Sequence, residues 1–194
     1  MYNVIMAVRW FGVIGRNGSG KSTVCEYLVS KGYCVYSLSD IVRDHAATKQ
    51  LPNDRNTLTQ LANELKESHG NDYFAHCVVK KAKAQPHHHV VFDSIRHPSE
   101  MQYLRTFDVH FIGVSASLQD CYDRIVRRKK GTDFVSFDEF KRQDEYEMNG
   151  KSPGQLISEC LTLCDLTIDN CGDLRNLYDR IDDMLKRLEN SYVK

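Results

Sequence analysis

The sequence predicts an α/β fold in which helices cover both faces of a mostly parallel sheet. Short apolar strands alternate with helical patterns along the whole chain, and a glycine-rich loop joins the first strand to the first helix. Such alternation is typical of parallel sheets, because their crossover helices cover both faces. The 194 residues suffice for one buried core and show no linker or internal repeat, so we expect a single domain.

In the first half of the chain, we predict two strands, with a helix between them and helices after the second. In order, we expect a strand at about 8–14, a helix at about 21–31 and a strand at 33–37. Gly32 ends the first helix. A mostly helical stretch follows, in which Asn56 and Asp72 are the expected N-caps of two amphipathic helices separated by Gly70.

The second half predicts three more strands, at 89–93, 109–114 and 166–169. Helices are expected at about 98–106 and 118–129, and a helical region at about 137–163 that breaks near Gly150 and Pro153. Ser136 is the expected N-cap of that region. The chain closes with an amphipathic helix from Asp173 to about Leu188.

Composition excludes several classes of function. A formal net charge of +0 argues against a surface devoted to nucleic acid. No apolar run reaches the roughly 18 residues that a membrane span needs, and no basic region typical of a signal peptide opens the chain. The cysteines are scattered without a C-x-x-C pair, which indicates reduced thiols in a cytoplasmic protein.

A phosphate-binding loop is the most specific motif. Residues 15–22 read Gly-Arg-Asn-Gly-Ser-Gly-Lys-Ser, and they fit G-x-x-x-x-G-K-[ST] between a strand and a helix. Glycines permit positive φ, so backbone N–H groups and the helix N-terminus can face phosphates. We expect Lys21 to reach the β- and γ-phosphates of ATP and Ser22 to ligate Mg²⁺. The predicted donor-binding residues are Gly15, Asn17, Gly18, Ser19, Gly20, Lys21, Ser22 and Thr23.

Two further strand ends each place an acid three residues before an arginine. Asp40 and Arg43 follow the second strand, and Asp93 and Arg96 follow the third. Because ligands bind at the carboxyl ends of parallel strands, we expect Arg43 and Arg96 to hold a phosphate of an acceptor. Asp40 is expected to orient or deprotonate the attacking group, and Asp93 to hold Mg²⁺ through water. The plainer alternatives are an N-cap at Asp40 and a salt bridge between Asp93 and Arg96.

The most basic stretch, residues 124–130, has five positive residues within seven. Arg124, Arg127 and Arg128 share one helix face, which favours a lid that covers the transferring phosphoryl group. The same cations also suit a helix C-terminus. Arg142 is expected to reach the site from the far side of this lid.

Taken in order, the phosphate loop, Ser-Asp-x-x-Arg, Asp-x-x-Arg and Asp-Arg-Ile-Val-x-Arg resemble the nucleoside monophosphate kinases, adenylate kinase in particular, with dephospho-coenzyme A kinases as cousins. The resemblance covers roughly residues 8–190. It implies a three-layer αβα P-loop kinase fold with a five-stranded parallel sheet in the order 2-3-1-4-5. It also implies an acceptor-binding insert at about 40–86, a short lid at about 127–142, and adenine contacts at Asn170, Cys171 and Gly172. Ser39 and Ile95 depart from the family's glycine and proline.

These observations predict an ATP- and Mg²⁺-dependent phosphotransferase whose partner is a small nucleotide acceptor, acting as a monomer or homodimer. The residues expected to carry catalysis are Lys21, Asp40, Arg124, Arg127 and Arg128. Two alternatives stay open. A dephospho-coenzyme A kinase would need Asp40 as the base for its hydroxyl acceptor. A nucleotide-binding regulator or slow ATPase would have no acceptor at all.

Overall fold

The computed structural model describes residues 9–85, 89–128, 136–150 and 155–191. Five strands form one parallel sheet in the order β2-β3-β1-β4-β5, as predicted. The strands are β1 (Arg9–Ile14), β2 (Cys34–Ser37), β3 (His89–Asp93), β4 (Val109–Ser115) and β5 (Leu166–Asp169).

The described helices separate the strands and cover the sheet. They are α1 (Lys21–Ser30), α2 (Leu38–Thr48), α3 (Arg55–His69), α4 (Tyr73–Lys83), α5 (Pro98–Arg105), α6 (Leu118–Arg128), α7 (Phe137–Met148), α8 (Ile157–Thr162) and α9 (Leu174–Ser191). None of the described helices is long and apolar enough to cross a membrane.

The core lies on both faces of the sheet. Alternate residues of β1 point to opposite sides, so Trp10 and Phe11 belong to different apolar clusters. Helices α1 and α9 pack on the cluster that contains Phe11, while α2 to α5 and α8 pack on the other. Burial on both sides explains why the central strands β1, β3 and β4 are largely apolar runs rather than alternating ones, whereas the edge strands β2 and β5 are only partly buried.

The N-caps show where the element predictions were right and wrong. Ser136 is confirmed, because its Oγ accepts a hydrogen bond from the Glu139 backbone N–H at 3.2 Å. Asn56 is wrong: α3 starts earlier, and Asp54 caps it by accepting from the Thr57 N–H at 3.0 Å. Asp72 occupies the N-cap position of α4 without a side-chain capping bond. Residues 129–135 of the predicted lid lie outside the described residues.

Candidate functional site

The phosphate-binding loop is closely packed, and its glycines are required. Gly18 and Gly20 have φ angles of +80° and +104°. A Cβ at Gly18 would lie 2.4 Å from the carbonyl oxygen of Cys121, and one at Gly20 would lie 2.2 Å from Nδ2 of Asn170. The loop can therefore keep a conformation in which its backbone N–H groups face a phosphate. Cys121 and Asn170 pack against it closely enough to leave no room for side chains at Gly18 and Gly20.

Lys21 is the first residue of α1 and turns back into the loop. Its Nζ donates hydrogen bonds to the carbonyl oxygens of Gly15 and Arg16, both at 2.8 Å. Burial lowers the pKa of this ammonium, and the nearby carboxylate of Asp93 opposes that shift. Lys21 thus brings a poorly hydrated positive charge to the loop, which is the chemistry that β- and γ-phosphates require.

Asp93 ends β3 beside the loop, because β3 pairs with β1. Its Oδ2 accepts a hydrogen bond from Ser94 Oγ at 3.3 Å, whereas its buried Oδ1 has no hydrogen-bond partner among the described residues. A buried carboxylate oxygen without a partner calls for a cation or water. Together with the exposed hydroxyl of Ser22 in the first turn of α1, this oxygen donor set fits Mg²⁺.

A cavity of about 640 Å³ extends from the loop along α2, α3 and α4. Apolar side chains line part of it, and neutral polar side chains, six cations and two carboxylates line the rest. The apolar residues include Leu38, Val42, Leu58, Ala62, Phe74 and Ile95; the cations are Lys21, Arg43, Arg55, Lys66, Arg96 and Arg128; the carboxylates are Glu100 and Glu147. Positive charge beside an apolar wall suits a ligand with a phosphate and a planar or aliphatic body.

The structure brings the two predicted acceptor arginines into this one cavity. Arg43 donates to Oδ1 of Asp40 and to Oγ of Ser39, each at 2.8 Å. Arg96 donates from Nη1 to Oε1 of Gln155 at 3.3 Å. Both guanidinium groups are therefore held by neighbouring oxygens while they line the cavity.

Glu100 fixes the segment that carries Arg96. Its buried carboxylate accepts from the backbone N–H groups of Arg96 at 2.8 Å and His97 at 3.1 Å, and it forms an ion pair with Lys66 at 3.1 Å. Sequence reasoning missed this residue. The signal was a capping box, because Glu100 is the third residue of α5 after its N-cap His97.

Other predicted site residues lie apart from the cavity lining. Asp40 is 61% exposed and forms an ion pair with Arg43 at 2.8 Å. Arg142 is 73% exposed and pairs with Glu139 on its own helix at 2.6 Å. Both side chains were expected in the site, but each is drawn to a neighbour one helical turn away.

The three arginines of α6 were predicted to lie together over the transferring phosphoryl group, but the structure places them in three different surroundings. Arg127 is exposed and donates to the carbonyl oxygen of Asp123 at 3.2 Å, whereas Arg128 lines the cavity. Arg124 donates from Nη2 to the carbonyl oxygen of Asn170 at 2.7 Å and from Nη1 to that of Ser19 at 3.3 Å. Arg124 therefore lies against the loop backbone rather than over the cavity.

Asn170 completes this connection. Its Nδ2 donates to the Ser19 carbonyl oxygen at 2.8 Å, and its backbone N–H donates to the Ser115 carbonyl oxygen at 2.7 Å. Asn170, which follows β5, is thus bonded to the phosphate-binding loop, and the exposed Gly172 lies two residues after it. This is the place where the resemblance implies contacts with adenine.

Comparisons with known proteins show the family of this chain. A family model described as an AAA domain matches residues 12–147, which is more than half of the chain. A UPF0200 protein of Hyperthermus butylicus is 31% identical over 147 residues, which cover 75% of this chain and 78% of that protein. This chain belongs to the AAA domain family and to the UPF0200 proteins. A UPF0200/UPF0201 protein of Archaeoglobus fulgidus is 28% identical over 190 residues, or 95% of this chain, and the chain spans 57% of its length.

The fold is shared with solved structures, kinases among them. TT1252 from Thermus thermophilus superposes with a TM-score of 0.66 at 21% identity, covering 93% of this chain and 97% of that one. Shikimate kinase from Bacteroides thetaiotaomicron superposes with a TM-score of 0.58 at 12% identity, covering 92% and 98%. This UPF0200 protein therefore has the fold of P-loop kinases. The narrower assignment to nucleoside monophosphate kinases stays a prediction.

Proposed function

We propose that this UPF0200 protein transfers the γ-phosphoryl group of Mg·ATP to a nucleoside monophosphate. One observation carries the proposal: the same cavity that Gly15 and Lys21 of the loop line is also lined by Arg43, Arg96 and apolar side chains beyond the loop. ATP hydrolysis needs a water molecule and no second chamber. The cavity, about 640 Å³ including its loop end, instead offers space for a second nucleotide beside the γ-phosphate position.

On the donor side, the loop and Lys21 would hold the phosphates of ATP, with adenine near Gly172. Ser22 and Asp93 would hold Mg²⁺, which neutralises charge on the β- and γ-phosphates when it is bound. Arg128, which lines the cavity, would act on the transferring group. Catalysis in this arrangement rests on positioning and charge.

On the acceptor side, Arg43 and Arg96 would bind the monophosphate, because guanidinium groups match phosphate oxygens in geometry and charge. Val42, Leu58 and Phe74 would contact the nucleoside through their apolar surfaces. The acceptor phosphate is already ionised at neutral pH, so this reaction needs no general base.

The position of Asp40 favours a phosphate acceptor over a hydroxyl acceptor. Dephospho-coenzyme A presents a hydroxyl, and Asp40 was the residue expected to deprotonate it. This carboxylate is 61% exposed, is paired with Arg43 and lies outside the cavity lining. A base must come within hydrogen-bond reach of the proton that it removes.

An acceptor panel tests the proposal. ADP formation from Mg·ATP is measured with AMP, dAMP, CMP, dCMP, UMP, dTMP, GMP or dephospho-coenzyme A. We expect a strong increase with at least one nucleoside monophosphate. An increase with dephospho-coenzyme A alone would support that kinase instead, and a slow rate unaffected by every acceptor would support a regulator or slow ATPase.

A further inference from the structure

Helix α7 contacts both the phosphate-binding loop and the acceptor cavity. Asp144 pairs through Oδ2 with Nη1 of Arg16, a loop residue, at 3.2 Å. One residue earlier, Oε1 of Gln143 accepts from Nη1 of Arg55 at 3.0 Å, and Oε1 of Glu147 accepts from Nη2 of the same guanidinium. Three polar side chains on one helix thus join two arginines from different parts of the fold.

The carboxylates in these contacts are largely shielded from water, whereas the guanidinium groups of Arg16 and Arg55 are partly exposed. The side chains of Asp144 and Glu147 are 8% and 16% exposed. Phe140, one turn before Asp144, anchors the helix in a small apolar cluster with Cys121 and Ile125 of α6. Ion pairs in such surroundings are less screened than those on an open surface, so α7 holds its arginines in defined positions.

Arg55 is the first residue of α3, and both it and Glu147 line the acceptor cavity. A guanidinium carries five N–H donors in a rigid plane. The bonds to Gln143 and Glu147 involve two of them and fix the orientation of that plane. An arginine fixed in this way loses little entropy when a phosphate binds.

We propose that Arg55 is a third arginine of the acceptor-phosphate site, and that Glu147 and Gln143 of α7 are its positioning residues. The inference rests on the proposed function, because it places an acceptor phosphate in the same cavity. Arg55 donates to the phosphate, whereas Glu147 acts through Arg55 and does not touch the substrate.

Calorimetric binding of single nucleotides tests the inference. AMP, dAMP, CMP, dCMP, UMP, dTMP and GMP are each titrated into wild-type protein, Arg55→Ala, Arg55→Lys and Lys81→Ala, with Mg·ATP titrated separately. For the monophosphate that binds the wild type, we expect Arg55→Ala to weaken binding about tenfold or more, and Arg55→Lys to weaken it by less. Binding of Mg·ATP should change less than about twofold. Lys81, an exposed cation paired with Asp44 outside the cavity, is the matched control, and its variant should bind like the wild type.

A double-mutant cycle tests the role of Glu147. Glu147→Ala alone should weaken monophosphate binding, Glu147→Gln should restore part of it, and Glu147→Ala should have no further effect in the Arg55→Ala background. Tighter binding to Glu147→Ala would overturn the proposal, because the carboxylate would then compete with the phosphate. Unchanged binding to folded Arg55→Ala would overturn it while the proposed function stands. If no monophosphate binds the wild type, the proposed function fails and the inference fails with it.

Discussion

At the scale of single residues, the proposed chemistry depends most on Lys21. Its ammonium lies between two loop carbonyl oxygens, and burial lowers its pKa. A charge kept away from water interacts more strongly with phosphate than a hydrated one. The same burial removes water from the charge and so lowers the free energy of unfolding of the protein without nucleotide.

Replacing Lys21 should separate activity from folding. In Lys21→Ala, we expect turnover to fall by about a hundredfold or more, because one group that neutralises charge in the transition state is removed. Circular dichroism and the melting temperature should show a folded protein. Near-normal turnover by this folded variant would contradict the role assigned to Lys21.

The lowered pKa of Lys21 also predicts a pH dependence of stability. The unfolded chain keeps this proton up to about the ordinary pKa of 10.5, whereas the folded protein releases it at lower pH. Between these two values the unfolded state binds more protons, so the folded state gains stability as pH rises. The wild-type free energy of unfolding should therefore rise relative to that of Lys21→Ala over this interval. Urea unfolding of both proteins from neutral pH upward measures the difference, and parallel profiles would show that the shift is absent.

At the scale of elements, the strand–loop–helix unit is the part that the sequence predicted best. Its signal is local: glycines where φ is positive, an apolar strand before them and a helix after them. The polar contacts of the cavity were not predictable in this way. Arg55 meets Glu147 across 92 positions, and Arg124 reaches Asn170 across 46, so only the tertiary fold brings them together. The N-cap of α3 was predicted at Asn56 but lies at Asp54. This error was local, because two nearby polar residues could each cap the helix and its exact start is hard to place from sequence.

Two glycines with similar φ angles allow a matched test of the loop. Gly18 and Gly32 have φ of +80° and +93°, but a Cβ would meet backbone atoms of Cys121 only at Gly18, with nothing within 4 Å at Gly32. Gly32→Ala should therefore cost about 1–2 kcal/mol from backbone strain alone. Gly18→Ala should cost more and should also abolish ATP binding. Chemical unfolding and calorimetry measure both effects, and equal costs with retained ATP binding in Gly18→Ala would contradict the packing described here.

At the scale of the whole molecule, the strand order assembles the site. Because β1 lies between β3 and β4, the phosphate-binding loop after β1 is next to Asp93 at the end of β3. Because β2 pairs with β3, the residues that follow these two strands are neighbours, and Arg43 and Arg96 line the same cavity. The resemblance implied this order, and the structure confirms it. The positions of α7 and its side chains were not implied, because they depend on packing between distant segments.

Binding of the donor should stabilise the whole domain. A ligand at about 100 times its Kd adds about 2.7 kcal/mol to the free energy of unfolding. For a protein of this size that corresponds to a rise of roughly 5–10 °C in melting temperature. We expect this rise with Mg·ATP in the wild type and a much smaller one in Lys21→Ala. A melting temperature that does not respond to Mg·ATP in the wild type would count against donor binding.

The most direct test of phosphoryl transfer is the fate of the γ-phosphoryl group. With Mg·ATP and the stimulating monophosphate, phosphorylated acceptor, ADP and free phosphate are quantified together by chromatography. A kinase predicts one phosphorylated acceptor for each ADP formed and little free phosphate. If ADP is instead matched by free phosphate while the acceptor is recovered unchanged, the protein hydrolyses ATP and the central claim is contradicted.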